Sequence, residues 1–214
     1  MTDETAAPAF DPDCRACPRL AGFLDEVKAE YPDYYCRPVP PFGADDAGLL
    51  VVGLAPGMHG ANRSGRPFTG DHAGIMLYEV LHRFGFASRP ESLATDDGLE
   101  LTNCRITNAV KCLPPQNKPV GAEVNACNRF LAAELAGLAR GSVVLALGGI
   151  AHKAVIRAFA LRQADYRFAH GACHDLGRVR LLDSYHCSRY NTNTGRLTQA
   201  MFEAVFAEAR ELLA

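Results

Sequence analysis

Residues Gly48-Leu-Leu-Val-Val-Gly-Leu54 carry no polar side chain. A strand with one wet face alternates apolar and polar residues, so this run suits a strand covered on both sides. Comparable stretches follow at Arg105–Val110, Ser142–Leu147 and Val179–Tyr185. Helical spacing appears between them: Ile75, Met76, Val80, Leu81 and Phe84 after Asp71, then roughly Ala122–Leu138 and Ile150–Ala160. A final amphipathic helix is expected over Leu197–Leu213. Strands alternating with helices predict an α/β fold. The expected form is a three-layer α/β/α sandwich around a central four-stranded, mainly parallel sheet, with ligand at the carboxyl ends of the strands.

Three loops fall at those ends: 54–71, 111–118 and 186–196. They are also the most polar and motif-like stretches. The first belongs to Gly53-Leu-Ala-Pro-Gly-Met-His-Gly-Ala-Asn-Arg-Ser-Gly-Arg-Pro-Phe-Thr-Gly-Asp71, with five glycines and two prolines. Such a composition lets a backbone bend sharply and approach a ligand closely. No Gly-Lys-Ser/Thr follows the glycines, so this is not a Walker A loop, nor is it the dinucleotide GxGxxG.

Elsewhere the chain reads as a flexible N-terminal tail over 1–13 and a single domain over 14–214. Residues 31–46 and 85–100 have loop composition, and 166–175 suits an irregular hairpin arm. No stretch resembles a signal peptide or a membrane span, so a cytoplasmic protein without a membrane partner is expected. Residues 1–100 hold 8 basic and 16 acidic residues, whereas residues 101–214 hold 14 and 8. A polyanion can therefore meet a local basic face despite the net charge of −2. In a cytosolic setting the eight cysteines are expected as thiols or metal ligands. Cys14-Arg-Ala-Cys17, with Cys112 and Cys127, groups soft ligands suited to zinc or an iron–sulfur cluster. Cys36, Cys104, Cys173 and Cys187 lack such spacing and read as small apolar or surface thiols.

The 53–71 stretch resembles the first motif of the uracil-DNA glycosylase superfamily. His186-Cys-Ser-Arg-Tyr-Asn-Thr-Asn-Thr-Gly-Arg-Leu197 is similar to its histidine-containing second motif. Thr107-Asn-Ala-Val-Lys-Cys112 is similar to its strand-end asparagine followed by a cluster cysteine. Leu54 stands where the family 4 type has Glu, and with Ala55-Pro56 and His59-Gly-Ala-Asn-Arg63 this resembles family 5, the UDGb type. Cys187 departs from the pattern, because proline is frequent there.

The resemblance implies a monofunctional DNA glycosylase that flips uracil, or another deaminated or damaged base, out of double- or single-stranded DNA and hydrolyses its N-glycosidic bond. It implies a 4Fe–4S cluster on Cys14, Cys17, Cys112 and Cys127. The substrate pocket would take Gly53, Ala55, Phe68, Asn108 and His186. Phe68 offers a face for stacking, Asn108 a donor and an acceptor to the base edge, and His186 a donor to the departing base. Asp71 reads as either the carboxylate handling the water or a plain helix N-cap, with His59 competing for the water. Arg63, Arg66, Arg189 and Arg196, with Lys111, are candidates for DNA phosphates. A monomer is expected. The alternatives are a family 4-like, strictly uracil-directed enzyme, or a non-catalytic damaged-DNA binding module with a structural metal.

Overall fold

The computed structural model of the protein describes residues 10–214. In chain order the elements are α1 (Pro18–Glu30), β1 (Phe42–Gly43), β2 (Leu49–Gly53), α2 (Ala61–Ser64), α3 (His72–Arg83), β3 (Cys104–Asn108), α4 (Gly121–Gly137), β4 (Val143–Leu147), α5 (Gly149–Ala158), β5 (Cys173–Asp175), β6 (Arg180–Ser184), α6 (Arg189–Asn193) and α7 (Gln199–Leu212).

The sheet order is β1-β3-β2-β4-β6-β5. The four inner strands are parallel, and β1 and β5 join the edges antiparallel. The expected four-stranded sheet is thus corrected to a six-stranded one. Its four inner strands are those the apolar runs announced. The two edges are only two and three residues long, too short to carry a hydrophobic period. β5 pairs with β6 through a turn in which the Leu176 N–H donates to the Val179 carbonyl.

Side-chain alternation divides the core into two layers. Leu49, Val51, Val143 and Leu145 face α3 and α7, where Leu77, Leu81, Phe202 and Phe206 meet them. Leu50, Val52, Val144 and Ala146 face α4 and α5, against Leu131, Leu135, Ala151 and Val155. Every residue of β2 and β4 is buried, which is why neither strand tolerates a polar face.

This layering also makes the crevice. Neighbouring strands β2 and β4 feed helices on opposite faces, α3 and α5. Their loops diverge and leave a gap at the carboxyl ends, the usual ligand position in such sheets. Of the expected tail, residues 1–9 lie outside the described residues. Residues 10–13 are attached to the body: Phe10 packs edge-on to Phe130 at 6.0 Å, and Asp13 pairs with Arg37. Among the described residues no helix is long and apolar enough to cross a membrane.

Candidate functional site

The crevice holds a cavity of about 470 Å³ whose walls include Ala55, Phe68, Asp71, Asn108, Gly148 and His186. β2 and β3 end in register, with Gly53 beside Asn108. A Cβ at Gly53 would run into Asn108 Oδ1 and stand 2.6 Å from Phe68 Cζ. Glycine therefore lets an amide and a phenyl ring meet over the strand end. Phe68 is buried with φ 56°, left-handed for a non-glycine residue. Such backbone costs about 1–3 kcal/mol and persists where its surroundings impose it. Here the Tyr78 hydroxyl donates to the Pro67 carbonyl at 2.8 Å, fixing the chain one residue before the ring.

Asn108 is 3% exposed, and its Oδ1 has no hydrogen-bond partner among the described residues. A buried acceptor left open costs about 1–3 kcal/mol, so this position favours a ligand carrying a donor. His186 follows β6, and Asn191 Nδ2 donates to its carbonyl at 2.8 Å. Its ring lies 6.0 Å from that of Phe68 at an interplanar angle of 27°. His186 Nδ1 is buried and unpartnered among the described residues. Burial pushes the imidazole pKa down to about 4. The ring is neutral at neutral pH, with one N–H to donate and one lone pair.

Asp71 is the expected helix N-cap and also lines the cavity. Its Oδ1 accepts from the Gly74 N–H at 2.8 Å and caps α3. Its Oδ2 faces the Gly57–Gly60 turn, 2.7 Å from where a Cβ at Gly60 would stand. Burial raises its pKa above the ordinary carboxylate value, although the Gly74 and Ala73 N–H groups oppose this. His59 is not brought to the cavity. It is exposed, its Nδ1 lies 2.9 Å from the Tyr34 hydroxyl, and its ring stands edge-on to Tyr31 and Tyr34.

The basic residues separate sharply. Arg63 and Arg189 are exposed and both line a second hollow that adjoins the cavity and shares Asp71 and His72 with it. Arg196 is exposed and lies over the Tyr185 ring at 4.6 Å. Arg66 does not face a phosphate: it is 5% exposed and its fork grips Asp97 at 2.6 and 3.1 Å. Lys111 is likewise 1% exposed and paired with Glu134 at 2.5 Å. A bidentate arginine–carboxylate pair and a buried lysine ion pair are internal structure.

Cys14, Cys17, Cys112 and Cys127 line one small hollow between α1, the 111–112 segment and α4. No cysteine among the described residues is in a disulfide. The Lys111 N–H donates to Cys127 Sγ at 3.3 Å, and Arg129 reaches Cys14 Sγ at 3.4 Å. Burial, and then the three neighbouring sulfurs, push the Cys112 thiol up to about 12. Four soft ligands crowded this way ionise together only against a cationic centre, so the donor set fits zinc or an iron–sulfur cluster.

Sequence reasoning missed Gly148, Gly149 and Ile150, which close the cavity at the start of α5. Their available signal was the Gly-Gly pair directly after a buried strand, the place where loops diverge.

With this geometry in view, likeness to known proteins is informative. Residues 40–210 match the model of the uracil DNA glycosylase superfamily. The chain belongs to the uracil-DNA glycosylase superfamily. A type-5 uracil-DNA glycosylase of Thermus thermophilus is 49% identical over 93% of both chains. One of Mycobacterium leprae is 44% identical over 93% of this chain and 91% of its own. A type-4 uracil-DNA glycosylase of Pyrobaculum aerophilum is 32% identical, over 74% of this chain and 72% of its own. The superfamily and its type-5 branch are those the motif resemblance indicated, and Leu54, in the cavity wall, is the residue that separated the two branches in the sequence.

Proposed function

We infer that the protein is a type-5 uracil-DNA glycosylase that excises uracil from DNA and initiates base excision repair. The observation that carries this is the buried, unpartnered Asn108 Oδ1 at the end of β3, in a cavity shared with Phe68, Asp71 and His186. A base within a duplex must be turned out to be cut, at a cost of a few kcal/mol. Phe68 supplies a flat apolar face for it. Asn108 accepts from uracil N3–H and donates to O4, where cytosine presents an amino group instead.

As the glycosidic bond lengthens, negative charge gathers on the base and positive charge on the sugar. Neutral His186 donates its N–H to uracil O2, a contact that strengthens as the charge grows. The amino end of α5, at Gly149 and Ile150, opens on the same cavity and adds a favourable field for an anion. Asp71 Oδ2 is the carboxylate left free by the cap. It stabilises the cationic sugar and orients the attacking water. His59, held by Tyr34, takes no part in this reading. Lys111 is paired with Glu134, and among the described residues no lysine lines the cavity, which supports hydrolysis over a Schiff-base path.

Cys14, Cys17, Cys112 and Cys127 would hold a 4Fe–4S cluster, which supplies a covalent tie between α1, the 111–112 segment and α4. Arg63, Arg189 and Arg196 serve the DNA backbone. A base-release panel on defined duplexes tests the function: free uracil and an abasic site support it. Tight binding without release would support the non-catalytic module, and activity toward further deaminated bases sets the range.

A further inference from the structure

Three of the seven histidines gather around β6, and none of them lines the cavity: His152 on α5, His174 on β5 and His170 just before β5. Asp183 of β6 is fully buried and bonds to the first two of them. Its Oδ1 accepts from His152 Nδ1 at 2.8 Å and its Oδ2 from His174 Nε2 at 3.3 Å. His152 Nε2 donates to the Tyr166 carbonyl at 2.9 Å. An ionised Asp183 and a carbonyl only accept, so this geometry calls for a proton on both His152 nitrogens, an imidazolium ring. His152, His174 and Asp183 lie close enough together for a metal ion, but His152 keeps no bare lone pair to bind one. His170 has the opposite requirement: its Nδ1 accepts from the Tyr185 N–H at 3.2 Å, and its ring stacks on Tyr185 at 5.1 Å.

Tyr185 and Asp183 lie one and three residues before His186. We propose that His152 and His170 are positioning residues for His186: the first pins Asp183 as a cation, the second holds the Tyr185 N–H as a neutral base. The proposal rests on the role given to His186 above. Through these contacts the end of β6 is fixed by residues that do not line the cavity, just before His186, whose backbone carbonyl is tethered by Asn191.

The charge on His152 makes the arrangement pH-dependent. The groups facing it are Asp183 on β6, His174 on β5, the Tyr166 carbonyl, the edge of Phe168 and, on its own helix, Lys153. Burial disfavours the cation, but Asp183 and the Tyr166 carbonyl outweigh it and raise the His152 pKa. The stabilisation is therefore complete below the free-histidine value and is lost as pH rises through the folded one. Burial lowers the His170 pKa, which favours the neutral ring with its Nδ1 bare.

The test is single-turnover uracil release against pH for the iron–sulfur-loaded wild type and His152→Asn. Asparagine keeps a donor near Nδ1 and cannot titrate. The wild-type rate should drop about tenfold across an alkaline transition, a change equal to one pKa unit of free energy, with the DNA dissociation constant unchanged. His152→Asn should lose that transition and keep the acid limb. An identical alkaline fall in His152→Asn overturns the proposal. A second readout needs neither the variant nor catalysis. Nitrogen-15 NMR of the wild type should show a doubly protonated His152 ring at neutral pH. A neutral ring, or a stoichiometric metal beyond the cluster iron that is lost in Asp183→Asn, overturns it. A doubly protonated ring in a protein that releases no base would instead overturn the proposed function.

Discussion

The proposed function gives the Asp71 carboxylate two tasks, one for each oxygen. Oδ1 caps α3 through Gly74, worth about 0.5–2 kcal/mol. Oδ2 is the oxygen proposed to serve the reacting centre. Asp71→Asn retains an oxygen for the cap, so thermal stability should change little, while single-turnover uracil release should fall by about 10²–10⁴. The pH profile follows from the same residue. Its pKa is raised by burial, so the acid limb of the rate should sit above the ordinary aspartate value, whereas His186 stays neutral down to about 4. Gly53 tests the pocket wall rather than the chemistry. In Gly53→Ala the new methyl meets Phe68 Cζ at 2.6 Å as well as the Asn108 amide. Release should fall at least about tenfold, for misplacement of about 1 Å costs up to about 10², with circular dichroism unchanged.

At the scale of the element, two arginines in or beside motif loops have opposite fates. Arg66→Ala strips Asp97 of its partner inside the fold and should destabilise by about 3–5 kcal/mol, measured by denaturant unfolding. Arg189→Ala should leave unfolding unchanged and reduce the salt dependence of DNA binding by about one phosphate contact. The sequence alone does not separate them, because the Asp97 that decides the matter lies 31 residues away. The same holds for Lys111, whose partner Glu134 is 23 residues on. What was legible was local and repetitive: four apolar runs became four parallel strands, and the Asp71 cap stood where the helical spacing began. β1 and β5 were not legible, since two or three residues show no alternation. The grouping of His152 and His174 around Asp183, with His170 against Tyr185, followed no motif at all and exists only because α5, β5 and β6 meet. The cysteines sit between these cases: their spacing indicated a metal, while their common hollow needed the fold. Cys112→Ser should abolish the visible iron–sulfur absorption and lower the melting temperature, because the cluster's binding energy is part of the folding energy.

Across the whole molecule, one axis organises function. The four-cysteine hollow and the cavity are linked by a short run of chain: Asn108 ends β3 at the cavity, and Cys112 lies four residues on. Ala55, in the cavity wall, also packs against the apolar group around the cysteines. Arg63 and Arg189, one from each half of the chain, both line the hollow that adjoins this cavity. The proposed function turns on Asn108 reading a base in that cavity. The most direct test is single-turnover release of free uracil from a labelled duplex by the wild type and Asn108→Ala. Wild-type release with a loss of at least about 10² in the variant, at unchanged DNA affinity, is the predicted result. Undiminished release by Asn108→Ala would contradict it.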